Sequence, residues 1–255
     1  MGLPLFYAPD EGIDHEKAQI DLSGGDAKHL LRSLRAKQGD IVCLGDSKGT
    51  VYSTRILSIT PESATCKILE SDYLSPERPQ VVVFQAMPKN QAMDEVVARA
   101  AESGAARVVP FMSRRSPVEA VRKAGSRLER WRTIARESSK TARRPWPLEV
   151  REPLADFIDK KLLESVSSCV ILWEEEEVRR FESALPEHPP RSIGLVVGPE
   201  GGFDSGEVDL IRSMGATSAS IGRLNVRAES AASYASMLVR YHYGLLIPKG
   251  RLLDE

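Results

Sequence analysis

Two short glycine-bearing stretches carry the residue types for chemistry. Gly198-Pro-Glu-Gly-Gly202 closes the apolar run Leu195–Val197, and Gly222 turns the chain after a second run, Ser218–Ile221. Glycines at 198, 201, 202 and 222 let backbone approach a ligand closely and present N–H groups to it. Arg223, Arg227 and Glu229 lie beside the second turn. One such loop alone is compatible with an ordinary tight βα turn. Two of them about twenty positions apart, with these charges alongside, point to a ligand site.

The elements around these loops read as βα units. Leu195–Val197 is a short buried strand, and Asp204 or Ser205 caps a helix that carries Glu207 in its first turn and ends at Gly215. Ser218–Ile221 is the next strand, before a small-residue helix with Ala228, Ala231, Ala232, Ala235, Leu238 and Val239. Upstream strands are expected at Val81–Phe84, Arg107–Phe111 and Ser168–Trp173. Helices are expected from Asn90 or Gln91 to Gly104, from Ser126 to about Thr141, and from Pro153. Trp131 reads as a core residue of the second of these. The acids Glu174 to Glu177 read as a solvated helix start favoured by the dipole. The alternation implies an α/β domain with a mostly parallel sheet covered on both faces, its ligands at the carboxyl ends of the strands. Residues 1 to about 75 are instead β-rich, with strands near Gln19–Leu22, Ile41–Leu44, Thr50–Ile59 and Ala64–Leu69. Their one short helix, Asp26 to Leu34, has Lys28, Arg32 and Arg35 on or just after it. Ser71 to Gln80, with Pro76 and Pro79, reads as a linker, so the expected domains are 1–74 and 75–255.

Composition is that of a globular protein: 255 residues, 42% apolar, 28% charged, net charge −1. Charge is unevenly spread. Between Arg107 and Arg144 twelve Lys and Arg face three Glu, which is either a phosphate-binding footprint or a solvated helix face. Cys43, Cys66 and Cys169 lack CxxC spacing and the four histidines are scattered, so neither a disulfide framework nor a metal is expected. No apolar run approaches a membrane span and the N-terminus has no signal pattern, so a cytoplasmic protein is expected. Neither a strand-coupled GxGxxG nor a GxxxxGK[ST] is present, which argues against Rossmann and P-loop nucleotide sites.

Gly198-Pro-Glu-Gly-Gly202, Ile221-Gly222 and Arg227-Ala-Glu-Ser-Ala231 together resemble the C-terminal signature of the RsmE family, 16S rRNA uridine-N3 methyltransferases of the SPOUT superfamily. Lys89, Met93, Arg99-Ala-Ala-Glu102, Arg115-Ser116, Arg130-Trp131, Ile134-Ala135, Glu137 and Arg144 also match. His29-Leu-Leu-Arg-Ser-Leu-Arg35, before Gly39-Asp40, resembles that family's PUA-like barrel. Departures from the pattern are Asp94 for the usual Glu, Thr141 for a Gln, and Leu224-Asn225 where the family typically has Arg-Ile. The resemblance implies a SPOUT trefoil-knot α/β domain, S-adenosylmethionine as cofactor, 16S rRNA of the small subunit as partner, and a homodimer through the SPOUT domain. The small-residue face of Ala231, Ala232, Ala235 and Ser236 suits such packing.

On that reading the cofactor is held by Gly198, Pro199, Glu200, Gly201, Gly202, Ile221, Gly222, Leu224, Val226 and Ser230. Leu172 and Trp173 lie near its methionine part, and Ile221, Leu224 and Val226 wall the adenine. Substrate RNA meets Lys28, Arg32, Arg35, Lys89, Arg115, Arg144 and Arg223. Methylation at N3 requires the nitrogen to lose a proton, which puts charge on its flanking carbonyl oxygens. A cation aimed at those oxygens stabilises the transition state. Arg227 takes that role, with Glu229 orienting it or accepting the proton; alternatively the two form a structural ion pair at a helix start. Other readings are an RNA-binding protein without catalysis and a methyltransferase for another RNA base.

Overall fold

The structure is a computed structural model that describes residues 5–89, 92–154, 157 and 159–247. Those residues form two compact units. One contains the chain up to Pro76, Lys140–Pro147 and Ile247; the other contains Glu77–Ser139 and Leu148–Leu246.

The first unit is a curled, PUA-like half-barrel built on one six-stranded sheet. Its elements are β1 (Phe6–Tyr7), β2 (Ile13–Asp14), β3 (Gln19–Ser23), α1 (Gly24–Lys28), β4 (Ile41–Gly45), β5 (Thr50–Ile59) and β6 (Ser63–Tyr73). Strand order is β1-β4-β5-β6-β3-β2, and only β1 and β4 run parallel. Two register shifts along β5 and β6, at Ser53/Thr54 and Ile56/Ser58, bend the long hairpin. Alternate residues of β3, Ile20 and Leu22, point inward with Leu44, Ile56 and Cys66. The expected helix over Asp26 to Leu34 is α1 continued by a π-helical turn, His29–Ser33. Lys140–Pro147 docks here through a buried Lys140–Asp26 ion pair and a 2.7 Å bond donated by the Tyr7 hydroxyl to the Arg144 carbonyl. Strand β6 outruns its expected end at Leu69 because Tyr73 still pairs with Thr50.

The second unit is a parallel α/β domain. It comprises β7 (Gln80–Ala86), α2 (Ala92–Glu102), β8 (Arg107–Phe111), α3 (Val118–Arg122), α4 (Ala124–Thr141), β9 (Glu149–Val150), α5 (Lys160–Leu163) and β10 (Ser168–Leu172). It continues with β11 (Ser192–Val197), α6 (Ser205–Ser213), β12 (Thr217–Ala219) and α7 (Ala228–His242), the end of α4 passing into the first unit. The sheet order is β12-β10-β11-β7-β8-β9, with every neighbour parallel. Alternation divides the core by face. Val81, Val83, Leu195 and Val197 pack with Val97, Trp131, Ala232 and Val239 of α2, α4 and α7. Val82, Phe84 and Val196 pack with Phe203, Val208 and Ile211 on the other side. Trp131 is fully buried and its Nε1 donates to Asp94 at 3.1 Å. Truncating such a side chain to Ala costs about 3–5 kcal/mol.

Three expectations need correction. Glu174 to Glu177 do not start a helix: the Glu176 carboxylate accepts from the Ser218 hydroxyl and from the backbone N–H groups of Val178 and Arg179, and it pairs with Arg212 at 3.0 Å. Those bonds hold the segment as a loop, and only a 3₁₀ turn follows at Phe181–Ala184. The short helix expected from Pro153 is α5, whose N-cap is Asp159, accepting from Leu162 N at 2.8 Å. Ala231, Ala232, Ala235 and Ser236 are buried within the chain, on the face of α7 that packs against α2 and the sheet. That face is therefore taken. The expected helix openers Asn90 and Gln91 lie outside the described residues.

Candidate active site

Where the chain leaves the carboxyl ends of β10, β11 and β12, it surrounds a cleft of about 1260 Å³. Both glycine loops contribute to its lining. Val197–Gly202, Ser220–Glu229 and Ala231 all line it, with Leu172–Glu174, Lys89, Ala92, Asp94 and Glu95. Parallel strands end together on one side of a sheet, so loops distant in sequence meet there.

The first loop, 198–203, is tied down on every side. Gly202 N–H closes its turn onto the Pro199 carbonyl at 2.9 Å. Gln85, fully buried at the end of β7, donates to the Gly198 carbonyl at 3.1 Å. The Glu200 carboxylate accepts the Lys89 N–H at 2.9 Å, and Arg115 donates to the Gly201 carbonyl at 2.5 Å. Asp204 and Glu207 form a reciprocal capping box on α6, and Arg114 braces both, through Asp204 at 3.1 Å and its own N–H to Glu207 at 2.7 Å. The bonds from Glu207 N–H and Arg114 hold the Asp204 carboxyl below the usual aspartate range. Gly202 has φ +66°, and a Cβ there would fall 1.6 Å from Glu174 Oε1. Gly198 is confined less severely, its Cβ meeting Gly202 backbone at 3.2 Å.

The second loop is tied far less. Ser220 Oγ exchanges hydrogen bonds with Gly222 at 3.1–3.2 Å, and Gly222 turns at φ +130°. Ile221 and Val226 lean on the core, whereas Leu224 is 84% exposed. Arg227 is the N-cap of α7, with its side chain 86% exposed and Nη1 3.8 Å from Glu229 Oε1.

The sequence-expected residues fall into three groups. Leu172, Trp173, Gly198, Pro199, Glu200, Gly201, Gly202, Ile221, Gly222, Leu224 and Val226 line the cleft, as do Lys89, Arg223, Arg227 and Glu229. Ser230 and Arg115 do not line it. Ser230 is bonded to Arg99, and Arg115 reaches the Gly201 carbonyl. Lys28, Arg32, Arg35 and Arg144 belong to the first unit. Sequence reasoning missed Gln85 and Glu174. Gln85 had a signal, a polar residue in an otherwise apolar buried strand; Glu174 was masked by its acidic neighbours. Much of the basic stretch is neutralised from outside it, by Glu149 at Arg107, Asp204 at Arg114, Asp94 at Arg130 and Asp26 at Lys140. No metal-binding cluster occurs among the described residues, and no helix among them is long and apolar enough to cross a membrane.

Residues 76–240 match the family model of an RNA methyltransferase domain, and residues 22–69 match that of an RNA methyltransferase PUA domain. The chain is 26% identical over 241 residues to ribosomal RNA small subunit methyltransferase E of Bacillus subtilis, covering 91% of this chain and 93% of that one. To the protein of the same name from Aquifex aeolicus it is 28% identical, covering 86% and 93%. The crystal structure of the Neisseria gonorrhoeae enzyme of that name, bound to S-adenosyl methionine, superposes with a TM-score of 0.78 at 23% identity, covering 94% and 97%. A parallel α/β domain with two convergent loops, joined to a PUA-like unit and matched over both, identifies this chain as a member of the RsmE family of RNA methyltransferases.

Proposed function

We propose that the cleft binds S-adenosylmethionine and that the protein methylates N3 of a uridine in 16S rRNA, at the position conventionally numbered 1498. The observation that carries this reading is the convergence of loops 198–203 and 220–227 on one cleft, with an exposed guanidinium beside it. The residues suit the group. A Cβ at Gly198 or Gly202 would strike the loop backbone or Glu174, so the turn stays bare backbone, and Ile221 and Val226 supply apolar wall. When bound, S-adenosylmethionine supplies an electrophilic methyl group. Loop 198–203 fixes the adenosyl part through backbone, with Leu172 and Trp173 against the methionine part. Arg227 faces the uracil oxygens and stabilises the N3 anion, and Glu229, its side chain 13% exposed, orients the guanidinium. Alignment of nucleophile and methyl supplies much of the remaining rate.

The relatives named for the small subunit support the choice of substrate, which implies work in the cytoplasm. Within the proposal residues 1–74 bind RNA through Lys28, Arg32 and Arg35, joined by Arg144 of the same unit, and residues 75–255 hold the chemistry with Lys89 and Arg223 toward RNA, while Arg115 braces the first loop. The trefoil knot belongs to it too, through the passage from β11 past β10 to β12. A homodimer would use the exposed side of α7, with Tyr234, Leu238 and Tyr241, rather than its buried alanines.

The test is tritiated methyl transfer to small-subunit RNA, with the modified nucleotide mapped after deletion of the gene. Loss of N3-methyluridine at the expected position supports the reading. Loss of a different base modification would reassign the substrate, and no transfer from wild-type protein to any small-subunit RNA would refute it.

A further inference from the structure

Five acids line the cleft, and four are engaged. Asp94 pairs with Arg130, Glu95 with Arg99, Glu200 with the Lys89 N–H, and Glu229 with Arg227. Glu174 is the exception: among the described residues its carboxylate has no hydrogen bond or ion pair, although it lines the cleft at the end of β10. It rests against the first loop, in the space any side chain at 202 would need. A lone carboxylate beside a concave site favours a cationic ligand, and a charge-assisted hydrogen bond is about twice as strong as a neutral one.

We propose that Glu174 is a donor-binding residue that supplies the counter-charge for a cationic centre of the methyl donor, and so selects the charged donor over neutral adenosine thioethers. This rests on the cleft being the S-adenosylmethionine site. That molecule has two candidate centres, the sulfonium and the α-ammonium. S-adenosylhomocysteine keeps only the second, and 5′-methylthioadenosine keeps neither. The same preference would favour exchange of spent product for fresh donor if the sulfonium is the group recognised.

The experiment is calorimetric titration of wild-type, Glu174→Gln and Glu177→Gln proteins with all three compounds. Gln preserves size and removes charge, and Glu177, an exposed acid of the same run outside the cleft lining, controls for net charge. Glu174→Gln is expected to weaken S-adenosylmethionine about tenfold and leave 5′-methylthioadenosine within about twofold, with Glu177→Gln unchanged. S-adenosylhomocysteine then names the centre: weakened in parallel, it is the ammonium; unweakened, the sulfonium. Equal weakening of all three compounds, an equal effect at Glu177, or no effect on S-adenosylmethionine would overturn the proposal. Wild-type protein that binds none of the three would instead refute the methyl-donor reading itself.

Discussion

The two loops that meet at the cleft are built on opposite plans. Loop 198–203 has its Gly198 and Gly201 carbonyls and its Glu200 carboxylate held by Gln85, Arg115 and Lys89, from the ends of β7 and β8, and Arg114 braces the capping box that follows it. Loop 220–227 is anchored at its start, where Ser220 bonds the Arg179 and Phe181 backbone and Gly222, and leaves Leu224 and Arg227 in solvent. A preorganised backbone suits a ligand of constant shape, because the ordering cost is met on folding rather than on binding. A loop held mainly at its start that carries an exposed cation suits a macromolecular substrate that must be admitted, oriented and released. On the proposed function, the first loop is the donor side and the second the chemical side.

The largest expected effect separates those roles. Arg227→Ala should lower the methyl-transfer rate by about 10²–10³-fold, the range for loss of one preorganised oxyanion donor, while calorimetric affinity for S-adenosylmethionine stays within about threefold. Equal losses in rate and donor affinity would dissolve the division of labour between the loops. Next in size is Gly202→Ala, which places a methyl group against Glu174 Oε1 at a left-handed φ and should cost donor affinity about tenfold or more. Because the obstructing atom is the Glu174 carboxylate itself, the double variant with Glu174→Ala should lose less donor affinity than the two single losses combined, and strictly additive effects would show the two residues to be uncoupled.

How much of this was legible in the sequence depended on whether partners were neighbours. The glycine loops, the strands that end in them and Arg227 were legible, since turn chemistry and hydrophobic periodicity are local. Gln85 was visible as an oddity in Val-Val-Val-Phe-Gln, but its partner Gly198 lies 113 residues on and only the parallel β7–β11 register brings them together. The four acids misled for the same reason: Glu176 is committed to Ser218 and Arg212 across the β10–β12 edge. Small residues on α7 marked close packing correctly, yet nothing in their spacing told an internal neighbour from a second subunit. Charge counted along the chain overstated the basic stretch, since Asp94, Glu149 and Asp204 answer it from other elements.

Arg115 measures the donor-side bracing more finely. Arg115→Ala removes the bond to the Gly201 carbonyl and should weaken S-adenosylmethionine about three- to tenfold, with Arg115→Lys intermediate. RNA affinity falling without any change for the donor would move Arg115 to the substrate side. A smaller effect is expected from acid. The folded Asp204 carboxyl titrates below its ordinary value, so its capping contribution is full above the usual aspartate range and fades as pH falls through the depressed value. Asp204→Asn should therefore flatten the acid limb of a Tm-against-pH curve and leave neutral pH within a few degrees. An unchanged acid limb would mean that the capping box is not what stabilises the loop there.

The smallest expected effect belongs to the most exposed apolar residue of the second loop. Leu224 is 84% exposed, so Leu224→Ala removes almost no buried area and should shift stability by less than about 0.5 kcal/mol in a denaturant titration. Its donor affinity carries the information. If loop 220–227 closes on the adenosyl group, Leu224 becomes covered only in the complex, and the substitution should then weaken S-adenosylmethionine by the worth of that newly buried side chain, about 1 kcal/mol or more. If the loop stays as it is and serves substrate alone, donor affinity is untouched and the contrast between a rigid and an open loop holds with ligand bound. Amide hydrogen exchange across 220–227, with and without donor, separates the same alternatives, because closure would slow exchange there and leave 198–203, already protected, nearly unchanged.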